Sequence, residues 1–281
     1  MGTVETRIRT VAVSGYYGFG NSGDEAVLHA IVAALRQEAE AAGIRLNIVV
    51  LSGDPAATER IHGVKAAHRM RPAAVLGALL RADALVSGGG SLLQDVTSAR
   101  SMMYYLAVLR LARLLRVPSY IYAQGIGPIR DRKRFGPAIA RSFAACRYIS
   151  VRDPASKALL AEIGVDPARV DVVPDPVMGL GIGLRREAGG AVAEDSAVQE
   201  AGADGPLPMR ELTIGAAVRY WREDRRELEA IAGGLAKTLS ALPRARAVLL
   251  PFHLPSDLGA SSYIAERLLA AGIPEPRIER H

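Results

Sequence analysis

Residues 18–25 read Gly18-Phe19-Gly20-Asn21-Ser22-Gly23-Asp24-Glu25, a G-x-G-x-x-G followed at once by two carboxylates. Between a strand and a helix this is the context of a dinucleotide turn, in which unpaired N–H groups at the helix start hold a pyrophosphate. Asp24 and Glu25 crowd that same positive end, which disfavours a diphosphate there. Two readings stand for these acids. Both complement the helix dipole, or Asp24 faces a cleft and orients a sugar hydroxyl or accepts its proton. A second cluster, Ser87-Gly88-Gly89-Gly90-Ser91, lets a ligand approach the backbone and turns N–H groups toward it, or is simply a tight strand-to-helix turn. Gln124 and Gly125 repeat the pattern, with the same two readings. Arg152 follows a short apolar run and can clamp a phosphate or carboxylate, or pair with Asp153. Asp175, in Pro-Asp-Pro, reads first as turn chemistry and second as a ligand contact. Arg219 and His253 occupy comparable positions late in the chain and are candidates to face these turns across a cleft.

For these residues to meet, the elements around them must share one edge. Runs near 8–14, 46–51, 83–87, 118–123, 147–151 and 170–173 read as strands, each followed by a turn rich in Gly, Pro, Ser or Asp and then a helical pattern. In a parallel sheet all such turns emerge at the carboxyl edge, where doubly wound folds bind ligands. Residues 181–211 lose all periodicity and read as a linker or insertion between a domain at 1–180 and a second series at 212–281. That series offers a strand in ELTIGAAV, a helix near 224–241, the strand ARAVLL, a helix near 257–271 and the start of a strand at RIERH. At 70 residues it holds about half of a usual open α/β domain of roughly 100–150 residues, so the second domain is expected to be incomplete. The fold class expected is α/β, with two Rossmann-like doubly wound domains.

Composition narrows the function. Of 281 residues 49% are hydrophobic, too many for a disordered chain. One cysteine, Cys146, gives no disulfide framework, and the five histidines show no metal-ligand spacing, so no metal site is expected. The first residues lack a signal-peptide core, and no apolar run suits a membrane span, which predicts a cytoplasmic protein. The net charge of +6 is carried mostly by 31 arginines against 4 lysines, spread along the chain without a basic tail, so no nucleic-acid partner is expected. Along 99–116, Arg110, Arg113 and Arg116 recur at spacing three opposite an apolar stripe. This is either a solvated face or, with Arg130, Arg132, Lys133 and Arg134, a contact with an anionic membrane at the inner face.

Five segments in order, GYYGFGNSGDEAVL, DALVSGGGSLLQD, YAQGIGPI, YISVRDPAS and VVPDPV, resemble the polysaccharide pyruvyl transferase family, in particular its bacterial cell-wall members, over about residues 8–270. The resemblance implies a GT-B-like pair of domains, phosphoenolpyruvate as donor with no further cofactor, a sugar acceptor commonly on a lipid carrier, and a cyclic pyruvate ketal as product. It places Asp24 at the acid of the family's G-D-E element, Arg152 at the arginine gripping donor phosphate, and Gly88 to Ser91 at the glycine turn. The family's Arg-x-His element, whose histidine is the presumed general acid, has no match in Glu279-Arg280-His281, so the chain is expected to be cut short at its C-terminus. A GT-B glycosyltransferase using a nucleotide sugar and an inactive remnant that only holds acceptor are the rival readings. A dehydrogenase is disfavoured, because Asp54 lies 31 residues past Gly23, against the usual roughly 20.

Overall fold

The computed structural model describes residues 8–95, 99–180, 212–220 and 224–280, which divide into two compact units at Gly181/Ile182. In the first unit, strands β1 (Ile8–Tyr17), β2 (Arg45–Ser52), β3 (Lys65–His68), β4 (Ala84–Gly88), β5 (Ser119–Gln124), β6 (Tyr148–Val151) and β7 (Val170–Val172) alternate with helices. These are α1 (Ser22–Ala41), α2 (Pro55–His62), α3 (Pro72–Leu80), α4 (Ala99–Leu114), α5 (Arg132–Ala144) and α6 (Pro154–Glu162). The second unit comprises β8 (Thr213–Ala216), α7 (Arg226–Ala241), β9 (Arg246–Leu249), α8 (Ser256–Ala270) and β10 (Ile278–Arg280).

The seven strands of the first unit form one parallel sheet in the order β3-β2-β1-β4-β5-β6-β7. The order reverses between β1 and β4, so chain leaving these neighbours diverges and a crevice opens at their carboxyl ends. Both faces of the sheet are covered, as an all-parallel sheet requires. One face packs on α1 through Val27, Leu28, Ile31 and Val32, and the other on α3, α4, α5 and α6 through side chains such as Leu79, Tyr105, Phe143 and Leu160. Consequently Ala12, Val13 and Ser14 in the middle of β1 are all buried although they point alternately to both sides.

Turn chemistry seen in the sequence starts the helices. Asp54, Asp131 and Asp153 each accept a backbone N–H in the first turn of α2, α5 and α6, and proline opens α2, α3 and α6 where its missing N–H costs nothing. The expected six strands are all present. The sequence reading missed β3, because Lys65-Ala-Ala-His68 has no β-branched or aromatic side chain and pairs only along β2. Arg116, expected on the face of a helix, lies beyond the end of α4 with φ +59°.

The second unit is a three-stranded parallel sheet, order β10-β9-β8, with Leu228, Ala232 and Leu239 of α7 and Ala260, Ile264 and Leu268 of α8 in its own core. The strand expected to begin at RIERH is β10. Arg277, just before it, donates to the carbonyls of Leu239, Leu242 and Ala245, capping the negative end of α7. The expected linker at 181–211 lies outside the described residues.

Candidate active site

The turn after β1 is fastened from within. Asn21 caps α1, its side-chain oxygen accepting from the N–H groups of Gly23 at 3.0 Å and Asp24 at 3.3 Å. Glu25 accepts from Gly18 N–H at 2.8 Å and holds His62 Nε2 at 2.9 Å with its other oxygen. Three backbone N–H groups that a pyrophosphate would use, and the Glu25 carboxylate it would meet, are therefore committed to the fold, which supports the structural reading of Glu25 and leaves that helix end a poor diphosphate site.

Asp24 reaches elsewhere. A methyl group placed on Gly90 would lie 2.7 Å from Asp24 Oδ1, so the carboxylate lies against the backbone of the glycine turn after β4. Gly89 is left-handed at φ +75°, and a methyl group there would overlap Val27 Cγ1 of α1 at 2.0 Å. Close approach of α1 to this turn thus requires glycine. Tyr17, at the end of β1, donates its buried hydroxyl to Gly88 O at 2.6 Å. Burial first, and the Asp24 carboxylate second, push its pKa well above the ordinary phenol value, so it stays a donor.

Against the next residue of the same turn stands Arg152, in the loop after β6. Its Nη2 donates to Ser91 Oγ at 2.9 Å and its Nη1 to Asp175 Oδ2, after β7, at 3.1 Å. Asp153 is 4.0 Å from Nε and is occupied in capping α6, so the expected Arg152–Asp153 pair is the weaker contact. Gly125, after β5, lies beneath the guanidinium, where a methyl group would come within 3.0 Å of Arg152 Nε and 2.7 Å of Ser91 Oγ. Asp175 does the turn chemistry expected of it, its other oxygen accepting from Val177 N–H. The guanidinium carries five N–H donors, so these two bonds leave Nε–H and one N–H on each terminal nitrogen without a bond of comparable length among the described residues. At 34% exposure it is open to an incoming anion.

The sheet edge therefore gathers Asp24, Gly90, Ser91, Gly125 and Arg152, read in four separate segments, around one glycine turn. Gln124 is 1% exposed, and neither its amide nitrogen nor its oxygen has a hydrogen-bond partner among the described residues. The preceding Ala123 is left-handed at φ +46°, where β5 slips register against β6, and its N–H is taken by Ser150 Oγ. Strain and unmet hydrogen-bonding capacity coincide at this strand end. Gly20 and Gly23 stay in the exposed part of the first turn.

Sequence reasoning missed Arg69. It follows the unrecognised β3, is 5% exposed, and donates to Gly15 O at 2.9 Å and Tyr105 Oη at 3.2 Å. Its guanidinium stacks 4.1 Å from the Tyr104 ring and 5.2 Å from Phe19, which itself stacks on Tyr16. Burial pushes Tyr104 up to about 12 despite the opposing pull of Arg69. Among the described residues no ion pair to a carboxylate is found for Arg69, and this buried cation beside the first turn packs against aromatic faces and backbone dipoles. The aromatic residues of GYYGFG, interleaved with its glycines, were the available signal.

In the second unit, Arg219 and His253 come together at the carboxyl ends of β8 and β9 around the buried Asp257. Arg219 Nε lies 3.7 Å from Asp257 Oδ1, and His253 N–H donates to Oδ2 at 2.9 Å. Among the described residues no group of three side chains could hold a metal ion, and no helix is long and apolar enough to cross a membrane.

Comparison with known proteins agrees with this architecture. A putative UDP-N-acetylglucosamine 2-epimerase from Listeria monocytogenes is similar in structure, with TM-score 0.57 at 13% identity over 98% of this chain and 68% of that one. So is the UDP-GlcNAc 2-epimerase of Neisseria meningitidis bound to UDP-GlcNAc, with TM-score 0.57 at 10% identity over 98% and 71%. Anabaena HepE in complex with UDP and glucose gives 0.54 at 12% over 96% and 68%. Such low identity shows a shared GT-B-like fold and nothing of substrate. No curated protein matches the sequence. The polysaccharide pyruvyl transferase family matches residues 21–279, nearly the whole length, and the chain belongs to that family of transferases.

Proposed function

We propose that the protein transfers pyruvate from phosphoenolpyruvate to a saccharide carried on a lipid, forming a cyclic ketal in the synthesis of a cell-wall or extracellular polysaccharide. The observation that supports this most is that a carboxylate, Asp24, and a guanidinium, Arg152, both lie against the Gly88–Ser91 turn, at Gly90 and Ser91 respectively. Phosphoenolpyruvate brings a phosphate and a carboxylate, which suit the remaining guanidinium donors and the backbone N–H groups of a glycine turn. A sugar hydroxyl needs a base, which Asp24 supplies.

The steps balance as follows. Asp24 takes the proton of one hydroxyl as its oxygen bonds to C2 of the enol ester, and an acid outside this cluster protonates the methylene carbon to a methyl group. A neighbouring hydroxyl then bonds to the same carbon while the C–O bond to phosphate breaks, its proton passing to the departing phosphate oxygen, so that inorganic phosphate is released and the ring closes. Arg152 stabilises charge on the phosphate in both steps, an electrostatic role that rises as the leaving group departs. The reading requires no redox cofactor. Gln124 and, beside the first turn, Arg69 with its aromatic neighbours are proposed to contact the substrates.

Phosphate release from phosphoenolpyruvate with an aminosugar acceptor tests this. Asp24→Asn is expected to lower kcat, and Arg152→Lys to raise KM for phosphoenolpyruvate. Unchanged release in both variants overturns the assignment. Thermal stabilisation by a UDP-sugar but not by phosphoenolpyruvate would instead favour a glycosyltransferase, and acceptor binding without phosphate release a non-catalytic protein.

A further inference from the structure

Helices α4 and α5 lie side by side on one face of the first unit, and their 29 residues carry seven cations and no carboxylate. Because the whole chain nets +6, everything outside these two helices nets −1, so the charge of the protein is concentrated in this layer. Between the helices runs a groove of about 620 Å³. Arg110, Arg113, Arg134 and Arg141 rim it, and Met103, Leu106, Phe135 and Ala138 form its floor. All four arginines are exposed, and none has an ion-pair partner among the described residues. On α4, Met103, Ala107, Arg110 and Leu114 fall at i, i+4, i+7 and i+11, one exposed stripe of three apolar side chains and one arginine. Met103 is 42% and Leu114 71% exposed.

We propose that this layer docks on a bilayer bearing anionic phospholipid. Charge complementarity selects an anionic surface, and the apolar floor with protruding Met103 and Leu114 selects one that also offers hydrocarbon. The combination is that of an amphipathic helix lying in a membrane interface, where apolar burial and attraction to anionic headgroups act together. Arginine forks hold phosphodiester oxygens in pairs, which suits a surface of headgroups better than diffuse counterions. The inference does not depend on the transfer reaction, since the surface lies on the helical layer and vesicle binding is read without turnover.

Sedimentation with phosphatidylcholine vesicles, with and without a fraction of phosphatidylglycerol, tests it on the full chain. The protein is expected to pellet only with the anionic vesicles and to be released by salt, because exposed charges are screened within about 8 Å at physiological ionic strength. The double substitution Arg110→Glu/Arg113→Glu should weaken partition by at least about tenfold. Arg110→Gln/Arg113→Gln should weaken it less, and Met103→Gln should weaken it without altering net charge on the rim. Arg60→Glu, on α2 beside α1, should leave binding intact. Circular dichroism equal to that of the parent separates these losses from unfolding. Equal pelleting of parent and double variant, or pelleting indifferent to phosphatidylglycerol, overturns the proposal. So does absence of vesicle binding in a protein that instead forms a concentration-dependent dimer dissociated by the charge reversal, which would make this face a contact between copies of the chain.

Discussion

Gln124 ends a strand with a side chain that is buried and has no hydrogen-bond partner among the described residues, a state that ordinarily costs about 1–3 kcal/mol for each unmet group. The cost persists in the unliganded protein and is relieved only when something polar arrives. Replacing the amide by an apolar group of similar shape, Gln124→Leu, should therefore leave the melting temperature unchanged or raised, while turnover or substrate affinity falls. A large loss of stability would show that the amide is structural after all. The strain beside it is separable, since Ala123 at φ +46° is an L residue in a conformation that glycine adopts freely. Ala123→Gly is expected to stabilise by about 1 kcal/mol in chemical denaturation. Cys146 shows the opposite condition, a group whose surroundings make it inert. Burial pushes its thiol up to about 12, the nearby Arg169 only partly offsetting this, and its Sγ donates to Ser142 O. Near neutral pH it is a buried thiol and not a thiolate, so it should resist thiol reagents in the native protein and react on unfolding. Rapid labelling under native conditions would contradict that environment.

Elements come together here through loops that bond to one another across the sheet edge. Asp95, after β4, accepts the N–H groups of Arg130 at 2.7 Å and Asp131 at 2.8 Å, tying the turn after β4 to the loop that opens α5. Burial alone would raise its pKa, but these backbone N–H groups, with Arg130 nearby, hold it below the usual 3.8. A carboxylate whose folded pKa lies below its unfolded value contributes stability above the unfolded value and loses it as pH falls through the folded one. Asp95→Asn should thus lower Tm near neutral pH, by an amount of order 1 kcal/mol in stability, and flatten the decline of Tm below about pH 4. Parallel acid limbs for variant and parent would remove Asp95 from the account. Gly89 is the stricter constraint. With φ at +75° and Val27 Cγ1 at 2.0 Å from any added methyl, Gly89→Ala should cost about 2–4 kcal/mol and separate α1 from the turn that Asp24 leans on. Such elements differ in how far the sequence betrays them. Strands β1, β2, β4, β5, β6 and β7 announce themselves by β-branched runs closed by Gly, Ser or Asp, because a strand buried on both faces must be apolar throughout. The short edge strand β3 has no such need, and with it Arg69 escaped notice, since its meaning depends on Tyr104 and Tyr105, more than thirty residues away. Asp24, Arg152 and the glycine turns were legible as residue types at strand ends. That Asp24 and Arg152 lie against one turn was not, because only the strand order carries the chain after β6 back beside the chain after β4.

At the scale of the whole molecule, two cores of unequal size share one chain. The first unit buries side chains on both faces of a seven-stranded sheet, and the second relies on three short strands and two helices. Fractional burial grows with size, so the smaller core is the less stable of the two when each is considered by itself. The protein carries a single tryptophan, Trp221, in the sequence between β8 and α7 of the second unit, whereas most of the helix and strand detected by circular dichroism belongs to the first. In a guanidinium titration, tryptophan emission should therefore change at lower denaturant than the main circular dichroism transition; coincident curves would mean that the two cores unfold as one. Ligand then distinguishes them further. If phosphoenolpyruvate is the donor, as proposed, its binding at the carboxyl edge of the first sheet should stabilise that unit by mass action, about 2.7 kcal/mol at a hundredfold excess over Kd. The later transition should move to higher denaturant in the parent and stay in place in Arg152→Ala.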